Sequence, residues 1–472
     1  MDPDHSRSDS QTLLISSTKQ STKGYPLANL LALTIAFLGI QFSWSVQVGY
    51  VTKTLEERLG LDKRFVSYAW LAGPVAGIVV QPTVGLLSDR LHTRFGRRRP
   101  YIFGGSIVAC FALISFAWAD RLWVGILSFW VLDFAINAAQ GPLRALMTDV
   151  VPSEEQGRGN AYFALMSGVG NASGNLLGSL PLSKVFGGRV EDVQVLYVMA
   201  AVILLTTVSI CCFVTKEDVP ATGWAYENVD TVEDGEVSAN DAGYSRESVD
   251  VSMSLWQATA SAPKPFWRLF VIQNFQWFAW FCVFIFTTSW VGVSVFGGDP
   301  TKPEGHVKRE LYDEGVRFGN LGLGMQAVVS ILFSAILPSL LTKYGEVSVY
   351  FLSISVHGLA MICTLFLVGR GSAPFALMCI AALGIPWATT MTVPWAMVGR
   401  AVAKSAPASA GVFATIFNLA QCFPEIAVSL LSEELVRWSG KEVTVIAVGG
   451  VVALAGAALI FVLRIDQNDE QR

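Results

Sequence analysis

Apolar residues run along this chain in long stretches, and the polar positions collect between them. A helix needs about 20 mostly apolar residues to cross roughly 30 Å of hydrocarbon. Twelve stretches reach that length: 27–49, 66–88, 100–118, 122–147, 160–183, 194–215, 267–290, 317–341, 347–369, 374–398, 408–431 and 442–464. Those holding Gly, Pro and Asn, above all 160–183, are the least apolar, as expected of helices that line a cavity. Between the sixth and seventh stretches, residues 216–265 carry Glu217, Asp218, Glu227, Asp230, Glu233, Asp234, Glu236, Asp241, Glu247 and Asp250 and few apolar side chains. That composition predicts a disordered acidic linker. The expected organisation is a tail (1–26), a six-helix bundle (27–215), the linker (216–265), a second six-helix bundle (266–464) and a short tail (465–472).

Composition makes lipid the solvent for much of the surface. The 472 residues are 52% hydrophobic and 15% charged, against roughly 25% charged in an ordinary soluble domain. The net charge of −4 gives no reason to expect a nucleic-acid partner. All seven cysteines fall in apolar stretches without CxxC or Cys/His spacing, so they read as small core residues, with no metal or cofactor implied. The first 25 residues lack the apolar core of a signal peptide. Asn171-Ala-Ser173 is a formal glycosylation sequon, but it lies inside a span and is expected to go unused. Arg90, Arg94, Arg97, Arg98 and Arg99 form the densest basic cluster, which places their loop, both termini and the linker in the cytoplasm by the positive-inside rule. The loop 51–65 competes with Lys53, Arg58, Lys63 and Arg64, but Glu56, Glu57 and Asp62 accompany them.

Candidate chemistry lies in three places. Residues 85–100, GLLSDRLHTRFGRRRP, fit a stretched form of the G-x-x-x-D-R-x-G-R-R loop of major-facilitator carriers, whose layout is also six spans, a linker and six spans. Gly85, Asp89, Arg90, Arg97 and Arg98 are the gate candidates there, because a carboxylate at a helix end can pair when one side shuts and release when it opens. A plain positive-inside anchor is the alternative. In the span 122–147, Asp133, Asn137, Gln140 and Arg144 follow at i, i+4, i+7 and i+11 and share one helix face. Asp133 would lie about 16 Å from the helix start at 1.5 Å per residue, near the midplane, where a carboxylate must face a cavity or a partner. Such an acid can carry a coupling proton; Arg144, about 16 Å further along the helix, is too distant to pair with it directly. Glu425 is a second buried acid, a rival or partner. Gln41 and Trp44, Asn171 and Asn175, Trp387, Thr389 and Thr390 (between Pro386 and Pro394 in a broken-helix pattern), and Asn418 with Gln421 complete the set. Rings stack on sugar C–H faces while amides and hydroxyls bind sugar hydroxyls, although the same residues hydrogen-bond between helices in any bundle.

At GIQFSWSVQ (39–47), AWLAGPVAGIVVQPTVGLLSDR (69–90), RFGRRRPYI (94–102), LDFAINAAQGPLRAL (132–146), GVRFGNLGLG (315–324), GIPWATTMTVPWA (384–396) and NLAQCFPEIAVSL (418–430) the chain resembles the plant and fungal sucrose and α-glucoside transporters of the glycoside–pentoside–hexuronide cation symporter group. The resemblance implies an all-α major-facilitator fold with twelve transmembrane helices in two six-helix bundles, and proton symport of sucrose, maltose or a similar glycoside. It also puts Asp133 on the family's proton-coupling aspartate and Arg144 on its essential arginine. The plasma membrane is the expected location, ahead of the vacuole. The seventh span departs from the family's DTDWMGRE-like stretch, reading Thr287-Thr-Ser-Trp-Val-Gly-Val293-Ser294; Lys63 stands where plant carriers have histidine, and Glu425 where members usually have glutamine. Export of another small metabolite by proton antiport, and a non-transporting nutrient sensor, stay open as other readings.

Overall fold

The computed structural model describes residues 25–91, 93–152, 155–185, 187, 190–217, 260, 262–303, 305–405 and 410–463. Both tails and nearly all of the acidic stretch therefore lie outside the described residues. The described chain forms α1 (Leu27–Lys53), α3 (Arg99–Ala117), α4 (Leu122–Val150), α5 (Gln156–Gly178), α6 (Asp192–Val214), α7 (Lys264–Trp290), α8 (Val307–Tyr344), α9 (Glu346–Cys363), α11 (Ala410–Ser439) and α12 (Val443–Val462). Two further rods are interrupted. The rod α2 comprises Lys63–Ala69, Ala72–Val75, a π turn at Ala76–Val80, and Gln81–Arg90; α10 comprises Ala373–Ala382 and Gly384–Ser405.

Ten rods are long and apolar enough to cross a bilayer. The other two, α5 and α11, fall on the expected stretches 160–183 and 408–431. They are helical but less apolar, because they carry Asn171 and Asn175, and Asn418, Gln421 and Glu425. The break in α10 is not where the sequence pattern places it. It falls at Leu383, ahead of Pro386, and the helix then runs on through Pro394. Pro386 has no N–H to give the carbonyl of Ala382, so the ladder opens just there.

The packing repeats. In the first half α1 lies against α5 and α6, α3 against α4 and α6, and α2 against α4. In the second half the same pairs recur six helices later: α7 against α11 and α12, α9 against α10 and α12, α8 against α10. Two equivalent six-helix bundles result. They meet where α2 crosses α11 and α5 crosses α8, with α1 touching α7 and α8. One end of this assembly holds the arginine-rich loop 91–98 and is called the basic end below; the other is the far end.

Candidate functional site

The polar stripe of α4 faces the junction of the two bundles. Asp133 is wholly buried (0% exposed), and among the described residues neither carboxylate oxygen has a hydrogen-bond partner. Two groups from other helices lie within its electrostatic reach: Tyr197 of α6, whose buried hydroxyl is also unpartnered, and Glu425 of α11. A buried carboxylate that makes no hydrogen bond is costly to keep ionised, so it needs a proton, a ligand or a change of conformation. One turn on, the Asn137 amide donates to the Asp133 carbonyl at 2.8 Å and accepts from Gln81 Nε2 at 2.5 Å. Asn418 Nδ2 donates to Gln81 Oε1 at 3.5 Å. An amide chain thus runs from α4 through α2 to α11, joining the bundles. Gln81 is absent from the residues singled out in sequence, although a lone Gln beside Pro82 in an apolar run is a usable signal.

The α2–α11 seam has an antiparallel register. Tyr68 donates to Glu433 at 2.8 Å at the far end. Next, a Cβ at Gly73 would collide with Glu425 Oε1, and one at Gly77 would sit 2.9 Å from Cys422 Sγ. Gln81 and Asn418 follow. A side chain at 73 or 77 would push Glu425 or Cys422 aside, so the Gly-x-x-x-Gly of α2 forms a notch that admits the acid of α11.

At the far end the bundles are tied by charge. Lys53 of α1 meets Asp313 of α8 at 2.5 Å, Arg309 of α8 pairs with Glu57, and Arg317 lies 3.7 Å from Asp192. At the basic end, among the described residues, the ion pairs stay within one bundle: Arg97 and Arg98 with Asp149 (2.7 and 3.1 Å), and Arg400 with Glu346. Among the described residues the ion pairs that join the two bundles therefore lie at the far end. Arg144, at the basic-end side of the α4 stripe, is exposed, its guanidinium 5.2 Å above the Phe37 ring.

In the gate loop, Arg98 donates to Asp149 and, at 2.6 Å, to Ser88 Oγ. Glu217, expected in the disordered linker, instead accepts the backbone N–H groups of Arg97 (2.5 Å), Arg98 (3.1 Å) and Arg99 (3.0 Å) on its carboxylate, capping the start of α3. Three orphan N–H groups and the helix dipole hold it there. Gly85 has open space around it. The side chains of Asp89 and Arg90 lie outside the described residues. Neither Asp149 nor Glu217 stands out in sequence as a gate residue.

In the second bundle, half-buried Trp387 is walled by Trp280 (4.9 Å, 79°), Phe284 (5.6 Å, 77°) and Trp277 (6.1 Å, 83°). Trp280 Nε1 points at Thr390 Oγ1 from 3.5 Å, and Thr389 shares a 2.5 Å hydrogen bond with Ser353. His357, which sequence reasoning misses, lies 4.3 Å from Trp280 and 3.1 Å from Gln276 Oε1. Gln41 and Trp44 are half-buried on α1, and Gln41 borders Gly170 of α5. Asn175 donates to the Asn171 carbonyl at 2.9 Å and keeps a buried, unpartnered Oδ1. Gln140 and Gln421 are half-buried.

Two equivalent helical bundles, tied at one end around a buried polar stripe, define an alternating-access carrier of the lipid bilayer. The chain belongs to the Major Facilitator Superfamily, whose family model matches residues 33–424. It is 32% identical over 341 residues to the general alpha-glucoside permease of Schizosaccharomyces pombe, a match covering 68% of this chain and 58% of that protein. It is 28% identical over 486 residues to the sucrose transport protein SUT2 of Oryza sativa subsp. indica, covering 91% and 93%. The crystal structure of the nucleoside transporter NupG shares the fold, with TM-score 0.64 at 11% identity over 94% of this chain and 100% of that one.

Proposed function

We propose that this chain is a proton-coupled symporter that moves a disaccharide or glycoside of the sucrose or maltose kind by alternating access. The observation that carries the reading is Asp133, a carboxylate with no partner among the described residues, buried between the two bundles. A group in that setting binds a proton in one conformation and sheds it in another. The relatives, a general alpha-glucoside permease and a sucrose transport protein, supply the substrate class. Trp387 and its ring wall offer a stacking face, and Asn137, Gln140, Asn171, Asn175, Thr390, Asn418, Gln421 and Gln41 offer amides and hydroxyls for sugar hydroxyls. In this reading the basic end and both termini face the cytoplasm, the membrane is the plasma membrane, and the structure is the inward-open state.

Uptake of labelled sucrose, maltose and trehalose into yeast that lacks its own carriers tests this directly. Accumulation should be faster at pH 5 than at pH 7 and should collapse with an uncoupler. Absence of uptake by protein located at the cell surface would favour export of another metabolite instead.

The far-end ties give a further expectation. Arg309→Ala leaves the Glu57 carboxylate, 3% exposed, without its arginine. Breaking a partly buried pair is unfavourable for the state that holds it. The far end should then open more often, and Vmax for uptake should fall by about tenfold, the equivalent of 1.4 kcal/mol. Reactivity of far-end positions towards impermeant reagents should rise; unchanged reactivity would remove the ion pair from the gating cycle.

A further inference from the structure

The helix α10 runs through Pro394, although proline has no N–H to give the carbonyl four residues back, that of Thr390. The orphaned carbonyl is met from another helix. Gln273 Nε2 of α7 lies 3.5 Å from it, and Gln273 Oε1 faces the Tyr350 hydroxyl of α9 at the same distance. The hydroxyl of Thr390 in turn faces Trp280 Nε1 of α7 at 3.5 Å. The turn of α10 that follows Trp387 is therefore held to α7 by both its backbone and its side chain.

Trp280 is fixed from a third helix. The His357 ring of α9 lies 4.3 Å from it at 37°, and His357 Nδ1 donates to Gln276 Oε1, an oxygen that can only accept, at 3.1 Å. Trp280 is also the nearest of the three rings that wall Trp387, at 4.9 Å and 79°. Gln273, Gln276, Trp280 and His357 are buried, none more than 1% exposed, whereas Trp387 is half-buried. The open part of a half-buried indole has nothing to fix its plane, so the walled part must set both side-chain torsions.

We propose that His357 and Gln273 are positioning residues for sugar recognition: they set the plane of Trp387 through Trp280 and the Thr390 turn, and never touch the sugar themselves. The proposal rests on Trp387 as a stacking face, given above, and deepens it. A ring stacked on sugar C–H groups gains its energy by dispersion, and a gap of about 0.5–1 Å forfeits roughly a quarter to a half of each contact. A small tilt of Trp387 therefore weakens binding of the sugar and leaves the transport cycle itself intact. A layer that only stiffened the bundle would act whether or not Trp387 were present, and would change the amount of working carrier instead of its affinity.

Uptake kinetics of labelled sucrose and maltose in the yeast assay above, on chains of measured surface abundance, read this difference. His357→Ala should raise KM about fivefold, the range of one aromatic contact, with Vmax within about twofold of the parent. His357→Phe keeps a ring against Trp280 and should recover most of the loss. Trp387→Ala should raise KM at least as much, and His357→Ala added to it should change nothing further, because residues that act through one another are not additive. Gln273→Met keeps the volume and removes the donor, so KM should rise likewise. Pro394→Ala returns an N–H to the Thr390 carbonyl and should restore that variant. A His357→Ala effect that adds in full to that of Trp387→Ala, or a fall in Vmax at unchanged KM, overturns the positioning role of His357. A Gln273→Met defect that Pro394→Ala leaves in place overturns that of Gln273. One readout needs no sugar. The fluorescence of Trp387, taken as the difference between chains with and without Trp387→Phe, should be more open to acrylamide quenching in the His357→Ala background, and unchanged quenching overturns the proposal. A ring loosened in this way, in a chain whose sugar uptake is absent or indifferent to Trp387→Ala, would sink the stacking reading and leave His357 as the residue that holds the ring.

Discussion

Asp133→Asn should abolish proton-driven accumulation, bringing the internal-to-external substrate ratio down to one, while protein abundance and substrate exchange stay within a few-fold of the parent. The carboxamide has nearly the shape of the carboxyl group, so the packing around this wholly buried side chain has no cause to change. No hydrogen bond to the carboxylate is lost, because among the described residues there is none. A charge at this depth disfavours insertion by roughly 2.5–3.5 kcal/mol, and its removal should leave the fold as stable or more so. What the variant cannot do is take up and give back a proton. Exchange needs the loaded carrier to move in both directions but no net proton transfer, so exchange should survive where accumulation fails. Labelled-sugar accumulation and counterflow, measured on the same vesicles, separate the two. Accumulation at the parent level would end the coupling role of Asp133.

The parts of this molecule that are legible in sequence are those in which the constraint is local. Lipid demands about 20 apolar residues per crossing, so the rods can be marked one by one. The stripe of α4 is legible because its four residues share a face of one helix. The far-end ties are not, for the opposite reason: Lys53 and Asp313 are 260 positions apart, and nothing near either announces the other. Glu56 and Glu57 read in sequence as acids that weaken an orientation signal, whereas Glu57 is the counter-ion of an arginine in the second bundle. Glu217 looks like one more acid in a polar linker because its partners are backbone N–H groups, which have no sequence signature of their own. His357 and Gln276 are 81 positions apart and meet only when α9 packs beside α7. Even the break in α10 is anticipated only in part: it falls before Pro386, since proline disrupts the turn that precedes it, while the helix runs on through Pro394.

Arg144→Ala should eliminate transport with the protein still inserted and folded. Arg144 lies on the same face of α4 as Asp133, yet it is exposed, and among the described residues no carboxylate pairs with it. Its guanidinium stands 5.2 Å over the Phe37 ring, and Phe37 is held edge-on against Phe163 at 4.5 Å. A guanidinium kept inside a span without a counter-ion, on an aromatic platform that fixes its plane, leaves most of its five N–H donors free for a ligand. Sugar hydroxyls and ring oxygens are acceptors of the right kind. Hydrogen bonds to a charged group contribute about 1.5–3 kcal/mol, so truncation should weaken substrate binding by roughly 10- to 150-fold. Arg144→Lys retains the charge but presents a point donor where a planar fork stood, and should recover only part of that loss. Equilibrium binding of the sugar to purified protein, beside uptake in cells, distinguishes a ligand contact from a topological charge. An alanine variant that binds and transports at the parent level would reduce Arg144 to a positive-inside anchor and leave the amides of α4 and α11 to carry recognition.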